Sequence, residues 1–410
     1  MREMKDSGIE WIGEIPTEWK IVQTKRFFRY VKRIVGDEAD NYERLALTMN
    51  GVIKRSKTDN EGLQPEKFEG YQILKKNELV FKLIDLENVK TSRVGLSPYT
   101  GLVSPAYIIL TNESEDNRFF YYWFMFMYYN EIFNHLGGDG VRSALNAKDL
   151  TEIPVVSVPQ NVRCTIADYL DKKCTKIDAI IAKQQKIVDK LKTYKSAIIN
   201  EYVNNRIGTK CHLGYIGTMK NGINFSSTLE GNKIKFLGVG DFQDNFVLND
   251  ISMFSDVITL DEISEEYMLN DEDIVFVRSN GSKELVGRAV MVKNIRYPLT
   301  YSGFCIRFRN TRCDIIDSNF LLYFFRSSDF RKKLEKLSRG SNINNMNQEL
   351  LSQIDFVFPD IKSQKEIVIL LENKCNKIDV TIKNKLKIID RLTDYKKSLI
   401  YEVVTGKKEV

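Results

Sequence analysis

The chain has 410 residues, of which 43% are hydrophobic and 28% charged. This composition is typical of a soluble globular protein that is long enough for two domains and a connector. The 61 Lys and Arg residues outnumber the 55 Asp and Glu residues, a mild excess that suits a nucleic-acid partner without requiring one. The six cysteines form no C-x-x-C pair, and there are only two histidines, so zinc-ligand spacing is absent. Free thiols and a polar first segment predict a cytoplasmic protein without a signal peptide.

The first region of the chain begins with MREMKDSGIEWIGEIPTEW, residues 1–19, whose Trp and Ile side chains we expect to dock on a neighbouring element. Runs typical of β-strands follow at residues 44–48, 78–81 and 106–110, bounded by Gly, Asn or Asp. Residues 119–129 read FFYYWFMFMYY. A bilayer needs about 20 apolar residues, so this shorter run predicts a buried core helix and no membrane segment.

The most informative feature of the sequence is an internal repeat, because such repeats decide the architecture. Residues 176–203 and 377–404 align without a gap. Apolar residues recur every three or four positions in both copies and predict two long amphipathic helices. The predicted stripes are Ile177, Ile181, Gln185, Val188, Leu191, Tyr194, Ile198 and Tyr202 in the first copy, and Ile378, Ile382, Leu386, Ile389, Leu392, Tyr395, Leu399 and Val403 in the second.

Each predicted helix follows a short apolar run that ends at a proline. The helices are expected to begin near Thr165 and Lys365, and therefore to span about 40 residues or roughly 60 Å. Gln185 is the one polar residue of its stripe, and it either fixes the register of the helix pair or marks a helix edge that reaches solvent. The apolar residues left off the stripes, which indicate incomplete cover of the helices in the isolated chain, are Ile180, Ile199 and Ile400.

The region between the helices repeats the plan of the first region with a divergent sequence. Strand-like runs at residues 235–239, 273–276 and 304–308 correspond to the three runs of the first region. Residues 286–287 are expected to correspond to residues 94–95. Two globular domains of one fold, with different loops, are therefore predicted.

These lengths predict an α+β protein in which two similar domains are joined by two long antiparallel helices, a coiled-coil rod with approximate two-fold symmetry. A domain of about 150 residues is roughly 40 Å across and does not carry the chain back along such a helix, so the second helix must return antiparallel to the first. The predicted boundaries are residues 1–150 and 209–350 for the domains, and 151–208 and 351–410 for the helical spacers.

The sequence offers little that could carry catalysis. Residues 236–240, FLGVG, match the F-x-G-x-G loop of adenine methyltransferases that bind S-adenosylmethionine. The equivalent run of the first domain has no glycine and no Asn-Pro-Pro-Tyr-like motif occurs, so we interpret the match as a turn. No P-loop and no G-x-S-x-G motif is present. The acidic cluster at residues 271–273 is not shared as a cluster by residues 75–78, which read KKNE, so the chain is interpreted as a binding protein without a cofactor or metal site.

The candidate contacts with DNA lie on the loop after the second strand of each domain and on two further basic patches. Arg reads guanine and Asn reads adenine, whereas Lys and Ser hold phosphates. Each residue alone is about as often a solvated loop charge, so the prediction rests on the set. The candidates are Lys54, Arg55, Lys57, Asn88, Lys90, Ser92, Arg93, Arg142, Ser143, Arg278, Ser279, Asn280, Ser282, Lys283, Arg288, Arg339, Ser341 and Asn342.

Both ends of the sequence resemble signatures of a known family, the specificity (S) subunits of type I restriction-modification systems. The segments that carry the resemblance are KDSGIEWIGEIPTEW at residues 5–19 and LTDYKKSLIYEVVTGK at residues 392–407. The order of variable domain, helix, variable domain and helix is also that of the family. One departure is that the first helix ends in NNRIG, residues 204–208, instead of Val-Thr-Gly-Lys.

The resemblance implies that residues 21–150 and 211–350 are target-recognition domains, each reading one half of a bipartite site in double-stranded DNA. The helices would set the spacing and dock two modification (methyltransferase) subunits, which restriction (translocase and endonuclease) subunits would join. The chain would itself be non-catalytic, and S-adenosylmethionine would be held by a partner subunit. Three alternatives stay open: an S-like subunit of another multisubunit methylase, a coiled-coil adaptor that does not read DNA, and an enzyme in its own right.

Overall fold

The chain divides into two compact units. Unit 1 comprises Met1–Gln185 and Lys387–Val410, and unit 2 comprises Lys186–Leu386. Both boundaries between the units fall within the long helices and not between a domain and a helix. The predicted boundaries of the domains and helical spacers therefore stay predictions. The computed structural model of the chain describes residues 2–49, 51–58, 67–84, 86, 93–112, 116–136, 144–204, 207–224, 231–242, 245–250, 252, 254–260, 262–282, 284–337 and 346–410.

The described strands of unit 1 form two four-stranded sheets and two short strand pairs. In chain order they are β1 (Met4–Asp6), β2 (Glu14–Pro16), β3 (Lys20–Gln23), β4 (Arg29–Val31), β5 (Arg44–Thr48), β6 (Gly51–Arg55), β7 (Gln72–Leu74), β8 (Leu79–Phe81), β9 (Val94–Leu96), β10 (Gly101–Val103), β11 (Ile108–Thr111) and β12 (Pro154–Ser157). The sheets have the orders β6-β5-β10-β7 and β4-β11-β8-β9, and the pairs are β1-β2 and β12-β3.

The predicted aromatic core helix is confirmed in unit 1. Six of its nine ring side chains are buried, and Phe124 packs edge-on against Phe81 with 5.0 Å between ring centroids. A helix this apolar on every side must be enclosed by other elements, and the sheet β4-β11-β8-β9 covers it. The helices that begin in unit 1 are α1 (Arg118–Tyr129), α2 (Ile132–Leu136), α3 (Ala147–Glu152) and α4 (Gln160–Val203).

The described elements of unit 2 repeat most of the strand order of unit 1, with sheets of five and three strands in place of two four-stranded sheets. The strands are β13 (Thr209–His212), β14 (Gly217–Asn221), β15 (Asn232–Leu237), β16 (Val247–Leu248), β17 (Asp256–Thr259), β18 (Ile274–Val277), β19 (Ala289–Val292), β20 (Leu299–Tyr301), β21 (Cys305–Asn310) and β22 (Asp355–Phe358). They form the sheets β14-β21-β18-β19-β16 and β17-β15-β20 and the pair β13-β22. The remaining helices are α5 (Leu213–Ile216), α6 (Ser318–Phe325), α7 (Ser328–Leu337), α8 (Gln348–Ser352) and α9 (Ile361–Val404).

The strand register confirms two of the predicted equivalences between the domains. In unit 1 Phe81 of β8 pairs with Ile108 of β11, and in unit 2 Phe276 of β18 pairs with Ile306 of β21. A parallel pairing of β5 with β10 in unit 1 corresponds to the pairing of β15 with β20 in unit 2, and unit 2 has a further parallel pairing of β16 with β19. The central strands of the two scaffolds are therefore equivalent.

The predicted correspondence of residues 286–287 with residues 94–95 is wrong. Phe81 pairs with Val94, but Phe276 pairs with Ala289, so residues 286–287 lie in the turn before β19. The Val-Gly pair attracted the sequence alignment, but strand pairing aligns Val94 with Ala289, because segments of equal length, residues 82–93 and 277–288, separate the paired positions in the two units.

The two long helices are confirmed, and each contains 44 residues. They begin at Gln160 and Ile361, several residues before the predicted starts. The side chain of Asp360 explains the early start of α9, because it accepts hydrogen bonds from the N–H groups of Lys362 at 3.1 Å and Ser363 at 3.0 Å.

The antiparallel pairing of α4 and α9 is visible within each unit. In unit 1 Lys396 lies 2.7 Å from Asp178, and the later residue Val403 lines a cavity with the earlier residue Ile166. In unit 2 the contacts are Lys195 with Asp379 at 2.7 Å, and Tyr202 with Lys374 at 3.0 Å. The predicted α+β class with two long antiparallel helices is therefore confirmed.

The buried faces of the helices differ in detail from the predicted stripes. Tyr194 and Tyr395 are 58% and 51% exposed, and Leu386 is 41% exposed, so these three do not lie on the buried face. Lys195 and Lys396 turn inward instead, because their stems pack while their ammonium groups reach an aspartate on the other helix.

The residues that the stripes left unassigned also have defined positions. Gln185 is exposed, as expected for a helix edge rather than a polar seam. Ile199 and Ile400 are 3% and 1% exposed in the cores of their units, which corrects the expectation that they lack cover. Ile180 is 45% exposed, as expected.

The two ends of the chain pack together in unit 1. Ile12, Ile15 and Trp19 are buried against the end of α9, and the Lys407 ammonium donates to the Ile12 carbonyl at 3.1 Å. Gly406 has φ +74°, and a Cβ there would lie 2.9 Å from the Trp19 ring. Only glycine fits this turn, so the two terminal segments form one structural element.

Candidate nucleic-acid interface

A buried carboxylate positions the strand that leads into the predicted DNA-reading loop of each unit. Glu78 precedes β8 and is 5% exposed, and Asp273 precedes β18 and is 2% exposed. Each accepts a hydrogen bond from the backbone N–H three residues earlier, at 2.9 Å in unit 1 and 2.7 Å in unit 2. The residue just before each acid has positive φ, +67° at Asn77 and +68° at Glu272. The turns that precede β8 and β18, called corners below, therefore have the same structure.

An arginine completes each corner. Both guanidinium nitrogens of Arg33 donate to Glu78 at 2.8 Å, and Arg309 donates to Asp273 at 2.8 and 2.7 Å. Such two-pronged pairs fix geometry as well as charge. The hydrogen bond to Asp273 raises the pKa of Arg309. These carboxylates are satisfied structural groups, and they hold the loop that follows.

In unit 2 the chain leaves β18 at Arg278. The Arg278 N–H donates to the Phe304 carbonyl at 2.8 Å, and its guanidinium donates to the Gly303 carbonyl at 3.3 Å. Among the described residues no acid pairs with Arg278, and its Nε is buried without a partner. This side chain is therefore anchored at one nitrogen, with its charge uncompensated by the residues described.

The polar residues after Arg278 form a tight turn. The Asn280 side-chain oxygen accepts from the Ser282 N–H at 2.9 Å. Ser279 and Asn280 are half-buried and Ser282 is exposed. Arg288 is half-buried at the end of this segment, where its carbonyl accepts from Val277 at 2.9 Å. The structure thus brings five of the six candidates of unit 2's loop together, and the sixth, Lys283, lies outside the described residues.

The corresponding loop of unit 1 is described only at its ends. Asn88, Lys90 and Ser92 lie outside the described residues. Arg93 is 3% exposed, and its guanidinium donates to the Asn134 side chain at 2.6 Å. In this position Arg93 joins the strand to the helical layer rather than presenting its charge to solvent.

The predicted basic patch of unit 1 forms one wall of a groove of about 400 Å³. Lys54, Arg55 and Lys57 all line it, so the structure brings the three together. Lys54 is 2.5 Å from Glu43, a hydrogen bond that raises the pKa of Lys54. Lys57 donates to the Ala39 carbonyl at 2.7 Å. Lys54 and Lys57 are thus both engaged in the free protein.

The residues of the third predicted patch lie outside the described part of the chain in both units. They are Arg142, Ser143, Arg339, Ser341 and Asn342.

Sequence reasoning missed one residue beside the loop of unit 2. Phe304 is 55% exposed, although its carbonyl is bound by Arg278. The signal was an aromatic residue in the polar turn Ser-Gly-Phe-Cys, where unit 1 has Ala106. An exposed apolar side chain next to an arginine at this loop adds a surface suited to a base or a methyl group.

The glycine-rich match at residues 236–240 is a turn. β15 ends at Leu237, and the Gly238 N–H donates to the Asp241 carboxylate at 2.8 Å. The six cysteines are free, as predicted. Among the described residues no group of three or more His, Cys, Asp and Glu side chains could hold a metal ion. No helix in the described part of the chain is long and apolar enough to cross a membrane.

The scaffold and its loops match known proteins. Residues 211–389 match the sequence profile described as type I restriction modification DNA specificity domain. The type I restriction enzyme StySPI specificity subunit of Salmonella potsdam is 27% identical over 299 residues, which cover 68% of this chain and 62% of the relative. The predicted resemblance to type I specificity subunits is thereby supported. Residues 211–389 contain the DNA specificity domain of type I restriction-modification systems.

Two further comparisons agree with this assignment. The chain is 29% identical over 145 residues to the type I restriction enzyme EcoKI specificity subunit of Escherichia coli (strain K12), and the match covers 35% of this chain and 31% of that relative. The matches thus span less than two thirds of the length of either curated relative. A solved structure described as the structural basis underlying complex assembly and conformational transition of the type I R-M system has a TM-score of 0.69 at 12% identity, with 96% of this chain and 99% of that chain covered. This chain therefore shares its fold.

Proposed function

We propose that the chain is the specificity subunit of a type I restriction-modification system, that it recognises a bipartite sequence of double-stranded DNA, and that each unit reads one half of it. The observation that carries the proposal is one strand scaffold, with one type of acid-arginine corner, that presents different polar loops in the two units. Equal scaffolds with different loops suit the reading of two different base sequences. The DNA specificity domain at residues 211–389 supports DNA as the ligand.

Arg278 is the strongest candidate to read a base. Its charge has no acidic partner among the described residues, and an arginine with free nitrogens pairs with the O6 and N7 acceptors of guanine. Asn280 and Ser279 would support it within the same turn. In unit 1, Lys54 and Lys57 suit phosphates, because a phosphate can replace the surface acids that now hold them.

The long helices would set the distance between the half-sites and dock two methyltransferase subunits. Exposed apolar side chains on these helices support a docking role, since such surfaces mark protein contacts. They are Ile180 and Tyr395 in unit 1, and Tyr194, Ile369 and Val380 in unit 2. Methylation with S-adenosylmethionine, and cleavage by restriction subunits, would then reside in the partners, and the chain would act in the cytoplasm without catalysis of its own.

The proposal is tested by selection of random duplex DNA with the subunit purified together with its co-expressed methyltransferase. Two short defined blocks around an undefined spacer are expected. An intact complex that enriches no sequence would contradict DNA reading and favour the adaptor.

Substitution of Arg278 sharpens this test. Arg278→Met should relax the base preference at one position of one block, at a cost of about 1–3 kcal/mol for the preferred base. Arg296→Met removes the same charge from an exposed position in the segment that follows β19, and should leave every base preference unchanged. Equal selection profiles for the wild type and Arg278→Met would remove Arg278 from the base-reading set.

Two rearrangements test the division of labour. Replacing residues 211–350 with those of a relative should change one block only, and a change in both blocks would contradict independent reading.

Inserting one heptad into a single helix should change the spacer length or abolish binding. An unchanged spacer would show that the helices do not set the distance.

A further inference from the structure

Unit 2 contains a cavity of about 340 Å³ between α4, α6 and α9 that DNA reading does not use. Its volume is at the lower end of the range for ligand pockets. The wall consists of an apolar part, with Leu322 and Phe246, and a polar part, with Tyr323 and Glu372. The cavity is therefore large enough for one side chain and is amphipathic.

The equivalent place in unit 1 is filled by the protein itself. The Tyr122 hydroxyl donates to Asp171 at 2.7 Å, and the Arg118 guanidinium donates to the other oxygen of the same carboxylate at 2.6 Å. Tyr121 lies beside them, and burial, together with the charges of Cys174 and Asp178, raises its pKa to about 12. Unit 1 thus closes this place with a phenol ring and a guanidinium group.

Unit 2 keeps the acid and the tyrosine but not the two groups that fill the space. The repeat places Asn319 and Leu322 where unit 1 has Arg118 and Tyr121. Tyr323, the counterpart of Tyr122, is 8% exposed and lines the cavity, and its hydroxyl has no hydrogen-bond partner among the described residues. Glu372, the counterpart of Asp171, has no cation paired with it in the same part of the chain.

The charges around the cavity favour a cation. Lys195 lines the wall, but Asp379 holds its ammonium at 2.7 Å, so Glu372 remains as the uncompensated charge of the wall. Arg326 stacks on Phe246 and donates to a backbone carbonyl, and Lys293 donates to Asn319 at 2.8 Å. The wall therefore offers an acid to a ligand but no unpaired cation for a carboxylate, which disfavours a free amino acid.

We propose that this cavity receives the guanidinium group of one arginine side chain from a partner protein. Glu372 would accept its N–H groups as Asp171 accepts those of Arg118, and the aliphatic stem would pack on Leu322. The Tyr323 hydroxyl would gain the partner that the free chain lacks. Unit 1, which supplies its own arginine, has no need of this contact, so the two units would engage partners differently.

The first test measures the cavity alone, with ethylguanidinium as the probe and isothermal titration of the full chain at low salt. One binding site is expected in the wild type. Glu372→Gln should weaken binding by about tenfold or more, because it removes the charge-assisted pair. Glu366→Gln makes the same change at an exposed position of α9 outside the cavity, and should bind as the wild type does. Equal affinities for the two variants, or no binding to the wild type, would overturn the proposal.

A filling variant and its reciprocal strengthen this test. Leu322→Tyr places in unit 2 the ring that closes unit 1, and it should abolish probe binding while the chain stays folded. The double variant Arg118→Asn with Tyr121→Leu gives unit 1 the two residues that unit 2 has at these positions. It should open the second site and raise the number of bound probes from one to two. A Leu322→Tyr chain that is folded and binds the probe normally would contradict the assignment of this cavity.

The second test uses the co-expressed methyltransferase, and only this part rests on the proposed function. Leu322→Tyr and Glu372→Gln should each weaken association of the two proteins by about tenfold, whereas Glu366→Gln should not. Unchanged association, with probe binding lost, would overturn the partner as the source of the arginine. A wild-type chain that binds the probe but not the methyltransferase would contradict the proposed function and leave the cavity's preference for guanidinium intact.

Discussion

Units 1 and 2 solve the same structural problem at the acid-arginine corner with arginines from different strands. Glu78 is bound by Arg33, which follows β4, whereas Asp273 is bound by Arg309, which lies on β21. The corner, its positive φ residue and the strand register are retained, but the source of the cation is not. The comparison teaches that a buried carboxylate constrains the geometry of its pair more strongly than the sequence position of its partner.

The largest expected difference between the units comes from the chain ends, which only unit 1 contains. Trp19→Ala should lower the free energy of unfolding by about 3–5 kcal/mol, because a fully buried ring leaves a cavity beside α9. Denaturation by urea measures the loss, and hydrogen exchange should show protection lost first in unit 1. Tyr297→Ala, at a 55% exposed ring of unit 2, should change stability by less than about 0.5 kcal/mol. Similar losses for the two variants would contradict the packing role of the N-terminal segment.

The acid-arginine corners should be of equal importance despite their different arginines. Glu78→Gln and Asp273→Asn should each lower the free energy of unfolding by about 2–3 kcal/mol, because each leaves a largely buried arginine without its carboxylate. Glu265→Gln, at an exposed position, is the matched control. Urea denaturation of the variants measures these losses in the free energy of unfolding. A large loss for only one of the two variants would show that the corners are not equivalent.

Arg118 should make unit 1 sensitive to acid in a way that unit 2 is not. Its hydrogen bond lowers the pKa of Asp116 below the ordinary 3.8. A lowered folded-state pKa stabilises the protein above the ordinary value and is lost as the pH falls through the folded one. Arg118→Met should therefore cost about 1 kcal/mol at neutral pH, and this difference from the wild type should shrink below the ordinary pKa.

Unfolding free energies of both proteins, measured from neutral to acid pH, check this expectation. Asn319→Met, at the equivalent position of unit 2, is the control and should show no such change with pH. A difference between Arg118→Met and the wild type that stays constant into acid would contradict the role of Asp116.

The smallest effects are expected from the paired lysines of the long helices. Lys195 with Asp379 and Lys396 with Asp178 have the same distance of 2.7 Å and similar exposure, 17% and 51% against 19% and 55%. Double-mutant cycles with Met and Asn should give couplings of about 0.5 kcal/mol in both units, reduced by salt. Couplings that differ by more than about 1 kcal/mol would show that the helix pairs are not equivalent.

The regular features of the fold followed from the sequence. The gapless repeat predicted α4 and α9, and the alternating runs predicted most central strands, because periodic burial leaves a periodic pattern. Periodicity failed at Tyr194 and Tyr395, since it counts apolar residues and overlooks a lysine whose stem packs while its ammonium reaches an aspartate on another helix. The turn at residues 286–287 was misplaced because a local Val-Gly match outweighed strand register.

The candidate site was less predictable than the fold. A charged loop residue was assumed to face solvent, but Arg93 is buried and bonded to Asn134, a residue distant in sequence. Phe304 was missed because the sequence analysis assigned it to the strand-like run 304–308, whereas the strand begins at Cys305. Loop conformation depends on such long-range contacts, and the pattern of residues along the chain does not record them.

The packing of the two chain ends has a consequence for protein synthesis. Unit 2 is one uninterrupted segment, Lys186–Leu386, but the core of unit 1 contains Leu399, Ile400 and Val403 from the end of α9. The ribosome therefore delivers every part of unit 2 before it delivers the last part of unit 1. The part of unit 1 that is translated before unit 2 completes its core after unit 2, and its apolar surface must stay soluble until residues 399–403 have been translated.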